Sequence, residues 1–130
     1  METLLDVKNI FEDEFSFLAN KFKIFELSIQ DAYSNNTEEV NSPGIYIFWH
    51  PKFHVIKVGK SQSNSKKRSL EHIRDNTNNE KIHMNQLKED KDAKLLLFNI
   101  VNKEDIHWLL SLEAFMEWNT LPIIKAGRMG

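Results

Sequence analysis

Two short apolar runs, Gly44-Ile45-Tyr46-Ile47-Phe48-Trp49 and Val55-Ile56-Lys57-Val58-Gly59-Lys60, flank His50-Pro51-Lys52 and leave the chain little choice of fold at that point. Val, Ile, Phe, Tyr and Trp favour a pleated sheet, and so short an interruption containing proline closes a hairpin. The pairing is expected to make Tyr46 and Lys57 neighbours, a phenol beside an ammonium. A nearby ammonium favours the phenolate and lowers its pKa, so the pair has the composition of a base.

At 130 residues and 41% apolar content, the chain supports one core and is too short for two good ones. The absence of cysteine excludes disulfides and thiolate metal sites. No stretch reaches the length of a membrane span, and the acidic beginning lacks the basic start of a secretory signal, so a cytoplasmic location is expected. The net charge of -2 conceals an asymmetry. Residues 1–40 carry three basic and nine acidic side chains, whereas residues 41–70 contain no acid and hold Lys52, Lys57, Lys60, Lys66, Lys67 and Arg68. A basic stretch beside the hairpin suits a polyanion or forms a solvated face.

The first 40 residues read as a mainly helical extension packed on a domain formed by residues 41–130. Leu4, Leu5, Val7, Ile10, Phe11, Phe15, Phe17 and Leu18 recur at helical spacing. Residues 22–29 fit a helix about as well as a strand. After the hairpin, Asn64 or Ser65 is positioned to cap a helix on which Arg68 and His72, four apart, share a face. The polar run Asn76-Thr77-Asn78-Asn79 closes it, and a short helix is expected around Met84 and Leu87. Residues 94–101 read as a buried third strand.

A last helix is expected over 103–118, capped by Asn102, with Ile106, Leu109, Leu110, Ala114 and Met116 on or near one face. Glu113 falls on that face. A carboxylate against a core must be paired, protonated or bound to a cation, because burying it bare costs several kcal/mol. His50, His54, His83 and His107 have no ligand-like spacing with one another and read as ordinary surface or hydrogen-bonded histidines. Trp49, Trp108 and Trp118 read as core or core-edge.

Gly44-Ile45-Tyr46, a second strand ending Lys57-Val58-Gly59, Arg68 with His72 one turn later, and Glu113 on a distal helix together resemble the GIY-YIG nucleases over residues 43–124. The resemblance implies an α+β fold with a small three-stranded antiparallel sheet flanked by helices, here preceded by the helical extension. It also implies metal-dependent hydrolysis of DNA phosphodiesters. In that reading Tyr46 is the general base or water-orienting phenol, Arg68 binds the scissile phosphate, and His72 relays a proton or bonds a phosphate. Glu113 holds one divalent ion, Mg²⁺ or alternatively Mn²⁺, with waters completing its shell. Lys60 and Ser61, where the chain leaves the sheet, and Lys67 on the helix are expected to contact substrate.

Two positions depart from the family pattern. Lys57 stands where the second motif usually has tyrosine, a replacement associated with a subset that includes restriction enzymes. The family also commonly ends with an asparagine shortly after a proline, whereas Leu121-Pro122-Ile123-Ile124-Lys125 offers lysine there and Asn119 precedes the proline. The alternative is therefore a catalytically weak or inactive module of the same fold that binds nucleic acid or a protein, the latter through the acidic first 40 residues.

Overall fold

The computed structural model describes residues 2–125. In chain order its helices are α1 (Leu4–Phe15), α2 (Ile29–Ser34), α3 (Ser65–Arg74) and α4 (Leu109–Thr120). Its strands are β1 (Phe22–Ser28), β2 (Gly44–His50), β3 (His54–Ser61) and β4 (Lys94–Ile100). They form an antiparallel sheet in the order β1-β4-β2-β3. Among the described residues, no helix is long and apolar enough to cross a membrane.

The sheet thus has four strands rather than the expected three. The additional one comes from the ambiguous segment at 22–29. All seven residues of β1 find partners along β4, and Ser28 then ends the strand by accepting a hydrogen bond from the Asp31 amide at 3.1 Å, which starts α2. Alternation was weak there because β1 is an edge strand with only Phe22 fully buried. The strand belongs to the first 40 residues and pairs into the same sheet as the hairpin.

Helices cover both faces. Val7, Phe11 and Phe15 of α1 and Leu109, Leu112 and Met116 of α4 pack on Ile45, Ile47, Val58, Leu96 and Phe98. On the opposite face, Ile29 and Ala32 of α2, Ile73 of α3, and Met84 and Leu87 of a 3₁₀ turn cover Tyr46, Phe48, Ile56, Leu95 and Leu97. The alternation of β2 therefore sends Tyr46 towards α3. Each fully buried leucine or phenylalanine contributes roughly 1.5–3 kcal/mol, so both layers are needed.

The expected caps at Asn64 and Asn102 are present, and a further cap starts α1. Thr3 and Asp6 form a capping box on α1 with reciprocal bonds of 2.9 and 3.1 Å. The Asn64 side chain accepts from the Lys67 amide at 2.9 Å and starts α3. Asn102 accepts from the Glu104 amide, but it opens a 3₁₀ segment, Lys103–Trp108, before α4 begins. This change of pitch rotates α4 relative to one continuous helix. Leu110 and Ala114 consequently face solvent, Leu110 being 58% exposed, and Trp118 is 79% exposed rather than core. Leu5 and Phe17 are likewise exposed.

Asn99 locks α3 to the sheet. It is buried, its amide donates to the Glu39 carbonyl at 2.9 Å, and its oxygen accepts from Ser65 Oγ at 2.5 Å. Gly44 sits opposite it because the Asn99 side chain and the Phe98 carbonyl occupy the place of a Cβ. A further bond, from the Ser65 amide to the Ser42 carbonyl at 2.9 Å, fixes the start of α3 against the entry to β2.

Candidate active site

The hairpin register places Tyr46 opposite Gly59, and Lys57 opposite Phe48. Tyr46 and Lys57 are thus diagonal neighbours on one face, not a direct pair. The Tyr46 ring lies across Gly59: a Cβ there would overlap ring atoms Cζ, Oη and Cε1. Glycine at position 59 is therefore a space requirement, and it lets the phenol reach over the edge strand β3.

At that edge Tyr46 Oη meets His72 Nε2 at 2.7 Å, and His72 Nδ1 meets Thr77 Oγ1 at 2.7 Å. Burial pushes the Tyr46 phenol well up from its usual value; Arg68 pulls it down, while Glu113 and Glu71 push it further up. Burial likewise depresses His72, to about 4, assisted by Lys57 and Arg68 and opposed by Asp75 and Glu71. A neutral phenol donating to a neutral imidazole is the state these shifts favour, which leaves the Nδ1–H to donate to Thr77. The expected lowering of the Tyr46 pKa by Lys57 is corrected: desolvation outweighs charge, and the field of Lys57 falls on His72.

Hydrogen bonds join Tyr46, His72 and Thr77, whereas Lys57, Arg68 and Glu113 are linked to this pair through the charge each sets on Tyr46 or His72. Lys57 and Glu113 are 6% and 5% exposed, and among the described residues no buried side-chain nitrogen or oxygen lacks a hydrogen-bond partner. Arg68 is half-exposed on α3 and bonds Glu71 at 3.1 Å. The other expected contacts lie apart. Lys60 pairs with Ile45, on the opposite sheet face from Tyr46. Ser61 Oγ accepts from the Ser63 and Asn64 amides at 3.2 and 2.9 Å and so organises the loop before α3. Lys67 is exposed on another flank of α3. Asn119 donates to the Phe115 carbonyl at 2.8 Å within its own helix.

Sequence reasoning missed Thr77 and Glu71. Thr77 reaches His72 because the chain reverses at Asn76, whose φ is 51°, and the Thr77 amide bonds the His72 carbonyl at 2.9 Å. A hydroxyl just past the end of the helix that carries His72 is the available signal. Glu71, three residues after Arg68, is a spacing at which an ion pair on a helix is expected.

A second group of hard donors lies elsewhere. His50, Asp90 and Asp92 present ligand atoms within 4.8 Å of one another. His50 Nδ1, however, accepts from the Lys52 amide at 3.0 Å, so the ring proton sits on Nε2 and is donated to Asp90 at 2.8 Å. That nitrogen has no lone pair for a cation, and the group reads as a tie between β2 and the loop before β4.

His72 supplies a pH signature. In the folded chain it stays neutral down to about pH 4, whereas an unperturbed histidine takes up its proton near 6.5. Between these values the unfolded chain binds more protons, so stability is lost as pH falls from about 6.5 to about 4 and this component is flat below. Denaturant midpoints across that window should fall more steeply for the parent than for His72→Gln. Equal slopes would contradict the buried neutral state.

No family model matches this chain, and neither the curated proteins nor the solved structures compared with it yield a match.

Proposed function

We propose that the protein is a metal-dependent endonuclease of the GIY-YIG type that hydrolyses DNA phosphodiester bonds. The observation that carries this reading is the short Tyr46–His72 hydrogen bond, coupled electrostatically to Arg68, Lys57 and Glu113. A phenol, an imidazole, two cations and a buried carboxylate acting on one spot suit attack of water on a phosphodiester.

In this mechanism Arg68, the exposed cation, swings from Glu71 to the phosphate, and Lys57 adds positive charge from beneath. The attacking water gives its proton to Tyr46 Oη as the phenolic proton passes to His72 Nε2. His72 then donates from both ring nitrogens, with Thr77 accepting at Nδ1. Tyr46 acts as a proton conduit and need never rest as phenolate, which fits its raised pKa. Glu113 offers one hard oxygen donor group, which fits a cation that keeps most of its waters, such as Mg²⁺. Such an ion, when bound, supplies charge stabilisation at the leaving oxygen.

The test is cleavage of a varied set of duplex, branched and single-stranded DNAs. Products should accumulate with Mg²⁺ or Mn²⁺ and stop on chelation. Absence of cutting across the set with either ion would remove the enzyme reading.

A further inference from the structure

A groove of about 660 Å³ lies on the flank of α3 away from Tyr46, between α2 and the 3₁₀ turn Met84–Glu89. Its volume is within the range of about 300–1,000 Å³ typical of small-ligand sites. Tyr33, Lys66, Lys67, Glu71, Arg74 and Lys88 are among the residues that line it. Charge balance there is uneven. Glu71 is held by Arg68 at 3.1 Å, and Asp75 beside the groove is held by Arg74 in two bonds of 2.9 and 3.2 Å. Both acids are thus matched by arginines, and three lysines remain.

None of those lysines has a carboxylate partner among the described residues. Lys66 is 6% exposed, and its ammonium donates only to neutral oxygens, the Asn35 carbonyl and Asn36 Oδ1. Burial lowers its pKa, as expected for an ammonium without a counter-ion. Lys67 is exposed, and the Lys88 ammonium sits 5.6 Å from the ring centroid of Tyr33. Tyr33 is 41% exposed, an aromatic surface beside uncompensated positive charge. Cations along a groove with an exposed ring match the phosphates and bases of one strand.

We infer that this groove binds a short stretch of single-stranded DNA, with the exposed Lys67 and Lys88 on its phosphates, the buried Lys66 adding charge behind them, and Tyr33 against a base. The inference rests on the nuclease reading only in taking DNA as ligand; it does not require cleavage. Glu71 joins the two places, since it lines the groove and holds Arg68. A strand in the groove is then positioned to lead to the proposed scissile phosphate.

Fluorescence anisotropy in EDTA, with labelled oligothymidylate and a labelled blunt duplex over a salt series, tests this without cutting. The strand should bind more tightly than the duplex. Exchanging both exposed lysines, Lys67→Glu with Lys88→Glu, should weaken strand binding at least about tenfold and reduce the salt slope by about 1.4. Tyr33→Ala should weaken it about tenfold through lost stacking. Thermal melting should match the parent, because these side chains are exposed. Unchanged affinity and slope in the lysine variant, or no strand binding by the parent, would overturn the inference. Full competition by thymidine monophosphate would do so too, by making this a nucleotide site. Groove-dependent binding without any cleavage would keep this inference and remove the nuclease reading. Cleavage with normal binding by the lysine variant would do the reverse.

Discussion

Tyr46→Phe should slow metal-dependent DNA cleavage by about 10²–10⁴-fold, the usual worth of a positioned proton-transfer group. The ring is 3% exposed and packs edge-on against Phe48 at 6.2 Å, so phenylalanine keeps the same space and contacts. Only the oxygen is lost. His72 Nε2 then faces a ring edge, and the unsatisfied nitrogen costs about 1–3 kcal/mol if it stays dry. Denaturant unfolding measures that cost separately. A variant that is destabilised by this amount yet cleaves at the parent rate would show that the phenol is structural and that the proton takes another route.

Gly59→Ala should damage both stability and activity. The added Cβ would overlap the Tyr46 ring, which is confined by Phe48 and His72 and cannot tilt without leaving its hydrogen bond. Overpacking of this kind costs about 2 kcal/mol. A displacement of about 1 Å at the phenol is enough to reduce cleavage about 10²-fold. The melting temperature and the rate, measured on one preparation, separate the two effects. A parent-like rate would mean that the position of Tyr46 over β3 does not matter to the chemistry.

The parts of the fold that rest on local rules were readable from the residues alone. Runs of sheet-favouring residues and the proline turn located β2 and β3, the Asn64 cap located α3, and an acid among apolar neighbours singled out Glu113, which is indeed buried on α4. Parts that depend on tertiary balance were not. β1 lacks strong alternation because only one neighbour pairs with it, and it reads as a strand only once β4 is beside it. The exposure of Leu110 follows from a 3₁₀ start that no periodicity announces. The protonation of Tyr46 was misread because charge can be seen in a sequence whereas desolvation cannot. The register adds a similar lesson, since a bulge at Phe48/Trp49 sets which residue lies opposite Tyr46. The groove beside α3 is assembled from segments more than 50 residues apart, Tyr33 and Lys88, and has no linear signature.

The central claim is that a buried carboxylate on α4 and a phenol–imidazole pair on the hairpin side serve one hydrolytic centre. Its most direct measurement is cleavage by Glu113→Gln beside the parent, in Mg²⁺, on a substrate the parent cuts. Glutamine keeps the volume and a hydrogen-bonding oxygen but removes the charge, so the account predicts a folded protein that still binds DNA and cuts it at least about 10²-fold more slowly. A Glu113→Gln protein that cuts at the parent rate with the same metal dependence would contradict the account.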